Sequence, residues 1–496
     1  MNLNKTIATY YEQACFEAEK WLSKSEYNSL SPLYSVTQIE EVFGSWKALL
    51  SFCKGNTEEK RFLTCARTEA DKILVTFVHD GTEINEDAFD TLVNYAKINK
   101  AELYVLWGKG LTKNDRFCTD VFEKLKPYLV TELYCRNNCQ VSDMLVPPTQ
   151  KNPLLNVDKI TTNNIKTFVI GAAKQYLKIL PYKQSDTYRV ACSTGTISEI
   201  DYKETVSGHV DSENHTYGGI LLNWNDNRQA YDVRTLTYKE GSIYDLDRVY
   251  TSISSKAVKN IPGMVLGDIH FPDEDPEILN KTNGLLKILK PKEVILHDIA
   301  SWQSVSHHEQ KKYLSKILSQ TALNKNLETE FNAVTYKLRE FAKTHSNINF
   351  KIVNSNHDQF ITKWLDDGEF IKEKENAEIG AKLFTAYLKN KSILSEHLPT
   401  NVKELARNTS YKIAGFEVGE HGDCGISGSK GSPKQFSKAF CKSIIGHTHS
   451  PEIWESTTVV GTTSKLKMNY NQQGLTCWAH CHAIIHRNGT SQLYFL

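Results

Sequence analysis

Apolar positions recur at helical spacing through YYEQACFEAEKWL (10–22) and IEEVFGSWKALLSF (39–52), so the first 60 residues read as helices. The pattern then changes to a β-branched run, KILVTFVHDGT (72–82), a helical stretch, EDAFDTLVNYAKINKA (86–101), and a second apolar run, ELYVLWG (102–108). That order predicts one β-α-β unit and a small α/β layer within residues 70–140. The prolines of VPPTQKNPLL (146–155) break any regular element and mark a linker. From 165 to 255 short alternating runs such as YRVACSTGTISEIDY, YGGILLNW and AYDVRTLTY predict a mostly β segment.

Beyond residue 256, five apolar runs each end in polar residues of metal-ligand type. MVLGDIH ends in Asp268 and His270, VILHD in His297 and Asp298, and FKIVNSNHD in Asn356, His357 and Asp358. FEVGEHGD ends in His421 and Asp423, and KSIIGHTH in His447 and His449. Helical stretches such as PEILNKTNGLLKILK and ETEFNAVTYKLREFAKT lie between the first four. Alternating β and α elements imply an α/β region with a largely parallel core, and ligands bind beyond the C-terminal ends of such strands. All five polar clusters occupy that end.

Length and composition change this picture little. The chain has 496 residues, too many for one ordinary core, and divides into 1–150, 151–255 and 256–496. With 59 basic against 58 acidic residues, no whole-protein charge points to nucleic acid, although a local basic groove is compatible with that balance. No apolar run reaches the roughly 18–20 residues that span a bilayer, and the polar N-terminus lacks a signal-peptide core, so a cytoplasmic protein is expected. Eleven cysteines, an odd number, read as reduced thiols. Thirteen of the sixteen histidines fall after residue 256, which concentrates the candidate chemistry there.

In an extended chain residues i and i+2 face the same way, so Asp268 with His270, and His447 with His449, can each aim two ligands at one place. Carboxylate, imidazole and amide oxygen together suit Mn, Fe or Zn, and the lack of thiolate ligands argues against a structural zinc site. Asp268, His270, Asp298, Asn356, His421, His447 and His449 exceed what one ion needs. Two divalent ions sharing a carboxylate use them all, the arrangement suited to displacement at phosphorus.

The order Asp-x-His, Asp, Asn-His-Asp, His-Gly, Gly-His-x-His over residues 260–482 resembles the calcineurin-like metallophosphoesterase superfamily. The resemblance implies a four-layer α/β-β/α sandwich and two divalent ions, with Mn foremost and Mg, Fe or Zn as alternatives. It gives Asp268, His270 and His449 to one ion and Asn356, His421 and His447 to the other, with Asp298 bridging. His357 then protonates the leaving oxygen or stabilises charge on phosphorus, while a hydroxide held between the ions attacks in line. Three positions depart from the family. His297 precedes Asp298 where a glycine is usual, and Ser301 stands where related branches have aspartate or histidine. Asn354 replaces the arginine of the phosphatase branch, which argues against a protein phosphatase and for a diesterase. More of the chain, through SEYNSLSPLYSV, SWKALL, STGTISEIDY, HTYGGILL, VILHDIAS and VSHHEQ, is similar to large phage-encoded early proteins linked to destruction of host DNA. That similarity implies a DNase acting in the host cytoplasm as a homo-oligomer. The alternatives are a phosphomonoesterase or small-nucleotide diesterase, and a takeover protein acting mainly by binding a host protein.

Other groups compete for attention. His307 and His308 follow the second strand and are candidate substrate contacts, as are His297 and Asp358. TCWAHCHAIIHRNGT (476–490) offers Cys477, His480, Cys481 and His486 to a zinc ion, but its alternation and Arg-Asn-Gly-Thr turn predict a hairpin strand instead. Cys135 and Cys139 are too isolated for a site. SGHVDSENHTYGG, with His209, Asp211 and His215, reads as a polar loop between strands, and the basic KGSPKQFSK (430–438) as a loop suited to a phosphate backbone.

Overall fold

The computed structural model describes residues 7–50 (less 9, 12–13, 16–21, 31, 44 and 47), 64–108 (less 80–81), 124–162 (less 137, 143, 145 and 148–149), 164–306, 326–468 (less 390, 393, 395–396 and 441) and 471–496 (less 472). His307 and His308 lie outside these residues.

Near the N-terminus, helices Lys24–Ser29 and Val36–Phe43 help build a small core of Tyr11, Tyr27, Ile39, Trp46 and Leu49. The predicted β-α-β unit is present as β1 (Lys72–His79), α1 (Glu86–Asn99) and β2 (Glu102–Gly108), with β1 and β2 parallel. Asn85 starts α1 by accepting a hydrogen bond from the Ala88 N–H at 2.9 Å, one of the donors a helix start leaves unpaired.

The middle segment is β-rich as its alternation predicts. It holds β3 (Thr167–Ile170), β4 (Leu177–Leu180), β5 (Arg189–Ser193), β6 (Gly218–Asn225) and β7 (Ala230–Lys239). One expectation fails here: residues 206–213 are not a loop but a helix, α2 (Val206–Glu213). Thr205 caps it, and Asp211 on its inner side is buried in an ion pair with Lys174 at 2.7 Å. The short polar run hid the helix because its stability comes from that distant lysine. His209 is exposed, and His215 is held by Tyr202 and the Ser198 carbonyl, both at 3.0 Å, so this trio forms no site.

The C-terminal region contributes β8 (Gly263–Val265), α3 (Pro276–Leu289), β9 (Glu293–Leu296), α4 (Leu327–Thr344), β10 (Asn349–Val353), α5 (Asp358–Asp366), α6 (Ala377–Leu388) and β11 (Val402–Leu405). There follow β12 (Phe416–Glu417), α7 (Pro433–Ala439), β13 (Ser443–Ile445), β14 (Glu452–Trp454), β15 (Thr457–Val459), β16 (Cys481–Ile485) and β17 (Ser491–Phe495). Strands β11, β10, β9 and β8 run parallel in that order, and β16 and β17 complete a six-stranded sheet antiparallel to its neighbours.

Side-chain alternation sets the layering. Met264, Val294, Leu296, Phe350 and Ile352 face α3–α6, while Val265, Ile295, Val353 and Leu405 face a second sheet. In that second sheet β12, β13 and β15 are parallel, and β14 pairs with β15 on one side and with β4 on the other. Its outer face carries α7 through Phe436, Ile445 and Val459. The fold is thus mixed α/β with several sheets, and its C-terminal part is layered helix, sheet, sheet, helix. Because Ile453 pairs with Leu177, and pairing continues through β5, β3, Cys139–Ser142 and Leu129–Tyr134 to β2 and β1, one hydrogen-bonded network joins all three segments. Among the described residues no helix is long and apolar enough to cross a membrane.

Candidate metal centre

The five polar strand ends come from two sheets and meet. β8, β9 and β10 deliver Asp268, His270, His297, Asp298, Asn356 and His357 from one; β12 and β13 deliver His421, His447 and His449 from the other. Parallel strands within each sheet put all these segments at one edge of the sandwich.

Ligand atoms of Asp268, His270, Asp298 and His449 all lie within 4.8 Å of one another, and all four residues are buried. Asp268 Oδ2 lies 3.0 Å from His449 Nε2 and accepts the His447 N–H at 2.9 Å. Asp298 Oδ2 stands between two groups, 3.6 Å from His270 Nε2 and 3.2 Å from His421 Nε2. His421 Nε2 is also 3.1 Å from Asn356 Oδ1, and the His447 ring lies 5.3 Å from that of His421. Four of these residues hold left-handed backbone: His270 (φ 56°), Asp298 (φ 40°), His447 (φ 72°) and His449 (φ 56°). For non-glycine residues that costs of order 1 kcal/mol each, a strain that persists only where surrounding packing imposes it.

Charge makes the cluster a site for cations. Burial opposes ionisation of Asp268, yet the hydrogen bond and charge of His449 outweigh it and hold the carboxyl at about 2. Burial likewise opposes Asp298, and His421 and then His357 hold it well below the usual carboxylate range. Burial would strip the proton from His421, but Asp298 lifts it to about 9, so that imidazolium balances the paired carboxylates. Burial pushes His270 down to about 3 despite Asp298. Asp268 Oδ1 and Asp298 Oδ1 are buried without any donor. Two desolvated carboxylates with unpaired oxygens, ringed by imidazoles, fit divalent ions by donor chemistry and by charge.

Supporting contacts orient the ligands. His357 Nδ1 is 2.9 Å from the Ser301 carbonyl, which can only accept, so Nδ1 carries the hydrogen and Nε2 is the atom free to exchange a proton. His297 is fully buried and packs against His421, with Nδ1 3.4 Å from His421 Nδ1. Asp358 is half-buried, its carboxylate accepting from Trp302 Nε1 (3.1 Å) and from the Ser355 N–H (2.9 Å). Cys477, His480, Cys481 and His486 do not converge. Cys481 lies in the inter-sheet core, His480 bonds the Ser464 carbonyl at 3.0 Å, and His486 stacks on Tyr244.

Several contributors escaped the sequence reading. His482 Nδ1 accepts the Gly267 N–H at 3.0 Å and its Nε2 lies 2.8 Å from Thr282 Oγ1, pinning the residue before Asp268. Thr462 Oγ1 and the Thr463 N–H both donate to the Asp268 carbonyl at 2.8 Å. Arg407, just beyond β11, donates to the Asn354 carbonyl at 2.9 Å and pairs with Asp423. It thus brings a guanidinium to the place where the sequence has lost one at 354. The basic stretch 430–438 is not a loop throughout, because Pro433 opens helix α7, but it lies beside the site: the Gly431 N–H bonds the Asp423 carbonyl at 2.8 Å, and Lys430 and Lys434 are exposed. The Gly-Thr-Thr run after an apolar pair was a readable signal; nothing local marked His482 or Arg407.

No family model matches the chain. It is similar to Protein A1 of Escherichia phage T5, with 28% identity over 462 residues, covering 85% of this chain and 81% of that protein. A solved chain aligns with 47% of this protein and 98% of its own length at 13% identity and a TM-score of 0.26, too loose a superposition to bear on the fold.

Proposed function

We propose that this protein is a two-metal phosphodiesterase of the calcineurin-like metallophosphoesterase type that hydrolyses DNA. The observation that carries the reading is the convergence of five strand ends from two sheets on Asp298, whose Oδ2 faces His270 on one side of the ligand set and His421 on the other. The helix, sheet, sheet, helix layering of the C-terminal part agrees with the sandwich that this family implies. Asp268, His270 and His449 would hold one ion, Asn356, His421 and His447 the second, and Asp298 both. When bound, such ions supply Lewis acidity at the phosphoryl oxygens and lower the pKa of water near neutrality.

The chain's own residues then do the rest. His357, its Nδ1–H fixed on Ser301, presents Nε2 to give a proton to the leaving oxygen. Arg407 binds a non-bridging phosphate oxygen, and Lys430 and Lys434 continue the positive charge along a polyanion. Because Arg407 is already paired with Asp423, it does not neutralise a phosphomonoester dianion as a dedicated arginine at 354 would, which favours diesters. Similarity to a phage protein agrees with an activity directed at host DNA.

Linear and circular DNA, p-nitrophenyl phosphate and its bis ester, each incubated with Mn, test the reading. DNA loss and diester turnover abolished by EDTA and by Asp298→Asn are expected. Turnover of the monoester alone, or of nothing with any divalent metal, overturns it.

A further inference from the structure

The opposite edge of the second sheet carries a separate juxtaposition. Lys442 precedes β13, whose other end leads into His447, and Lys239 closes β7. Gly489, in the turn between β16 and β17, lies between them. A β-carbon built on Gly489 would stand 3.4 Å from Lys239 Nζ and 3.6 Å from Lys442 Nζ, so two ammonium groups converge on one point. They flank a cavity of about 350 Å³ where the middle and C-terminal segments meet. That is the small end of the range for ligand pockets, which favour such junctions.

Two ammonium ions this close repel, and the carboxylates around them, Glu240 beside the lysines and Glu213 and Glu455 in the cavity lining, offset that only in part. Lys442 donates to the Gly489 carbonyl at 2.7 Å, a neutral partner, and sits 5.4 Å from the Phe416 ring. Glu240 lies 3.7 Å from Lys239 and also favours the charged form of Lys442, though less than burial and Lys239 oppose it, and Glu455 accepts from Ser437 at 2.8 Å. Burial and the neighbouring Lys239 both press the Lys442 proton off. Thr235, whose buried hydroxyl has no hydrogen-bond partner, is among the residues lining the same cavity. An oxyanion in the cavity answers the two ammoniums by accepting from both.

We infer that this cavity binds a phosphate group, brought either as the free ion or on a mononucleotide. Lysines suit this as point charges. The inference stands independently of the metal centre and its proposed activity.

Calorimetric titration of the full chain in EDTA tests it, with inorganic phosphate, thymidine 5′-monophosphate and thymidine as probes. Asp298→Asn run in parallel removes a carboxylate of the metal centre and is expected to leave binding unchanged. Saturable binding of the phosphate-bearing probes and none of thymidine is expected. Lys239→Gln and Lys442→Gln should each weaken it at least ~10-fold. Lys239 is partly exposed, so the thermal midpoint of its variant should stay at the wild-type value and serve as the folding control. Tighter binding of the nucleotide assigns the ester, and equal affinity assigns the free ion; both support the site. Absence of saturable binding, or wild-type affinity in the folded Lys239→Gln protein, overturns it.

Discussion

Gly446 has no positive φ to justify glycine, so its replacement isolates a steric effect. A β-carbon there would stand 2.3 Å from Asp268 Oδ1 and 3.1 Å from the His297 ring. Asp268 cannot swing aside freely, since its Oδ2 meets the His447 N–H and His449 Nε2 at 2.9 and 3.0 Å. Nor can His297, fully buried against His421. Without a clash, Gly→Ala would stabilise the protein by about 0.4–1 kcal/mol through the unfolded chain. Overpacking costs about 1–3 kcal/mol, and each charged hydrogen bond given up costs about 1.5–3 kcal/mol more. Gly446→Ala should therefore destabilise by about 2 kcal/mol net and weaken Mn binding some 10–100-fold, as loss of ligand support does. Urea unfolding in EDTA measures the first effect and calorimetric Mn titration the second. Gly284→Ala is the control: it lies exposed in α3 with nothing within 4 Å of a new β-carbon, and should stabilise by about 0.5–1 kcal/mol. A Gly446→Ala protein as stable as wild type with unchanged Mn affinity would refute the packing described around Asp268.

Three further outcomes are expected. Arg407→Gln should raise KM for bis(p-nitrophenyl) phosphate roughly 10-fold with little change in kcat, because it removes a binding contact made equally before and during reaction; an unchanged KM removes Arg407 from the site. His482→Leu leaves the buried Gly267 N–H unpaired and should cost about 1–3 kcal/mol in urea unfolding, whereas a neutral result would mean that water replaces the imidazole. Burial pushes both His79 and His215 down to about 4, below the ordinary value near 6.5 of an unfolded chain. The unfolded state then binds more protons, so their stabilisation is complete above pH 6.5 and is lost as pH falls towards 4. His215→Gln should flatten that slope by up to about 1.4 kcal/mol per pH unit, and an unaltered slope counts against a neutral, buried His215.

The ligand set was legible because it is written locally. Asp268, His270, His447 and His449 lie past the strand ends, with left-handed backbone at all three histidines, so turn geometry rather than the expected extended i, i+2 alternation brings them together. The apolar runs before them nevertheless announce the strands. The β-α-β unit of 72–108 and the hairpin of 481–495 were readable for the same reason. The helix 206–213 was missed because its stability depends on a lysine 37 residues away from Asp211.

The chain by itself determined which residues could bind metal, since the chemistry of carboxylate, imidazole and amide does not depend on any tertiary partner. The folded structure alone decided that the first three strand ends come from one sheet and the last two from another, and that His297 packs against His421. It also brought Arg407 beside Asn354 and drew Lys239, Lys442 and Gly489 together across more than two hundred residues of chain. Such meetings depend on register and layer packing between distant segments, and those are set by the burial of whole faces rather than by any short stretch of sequence.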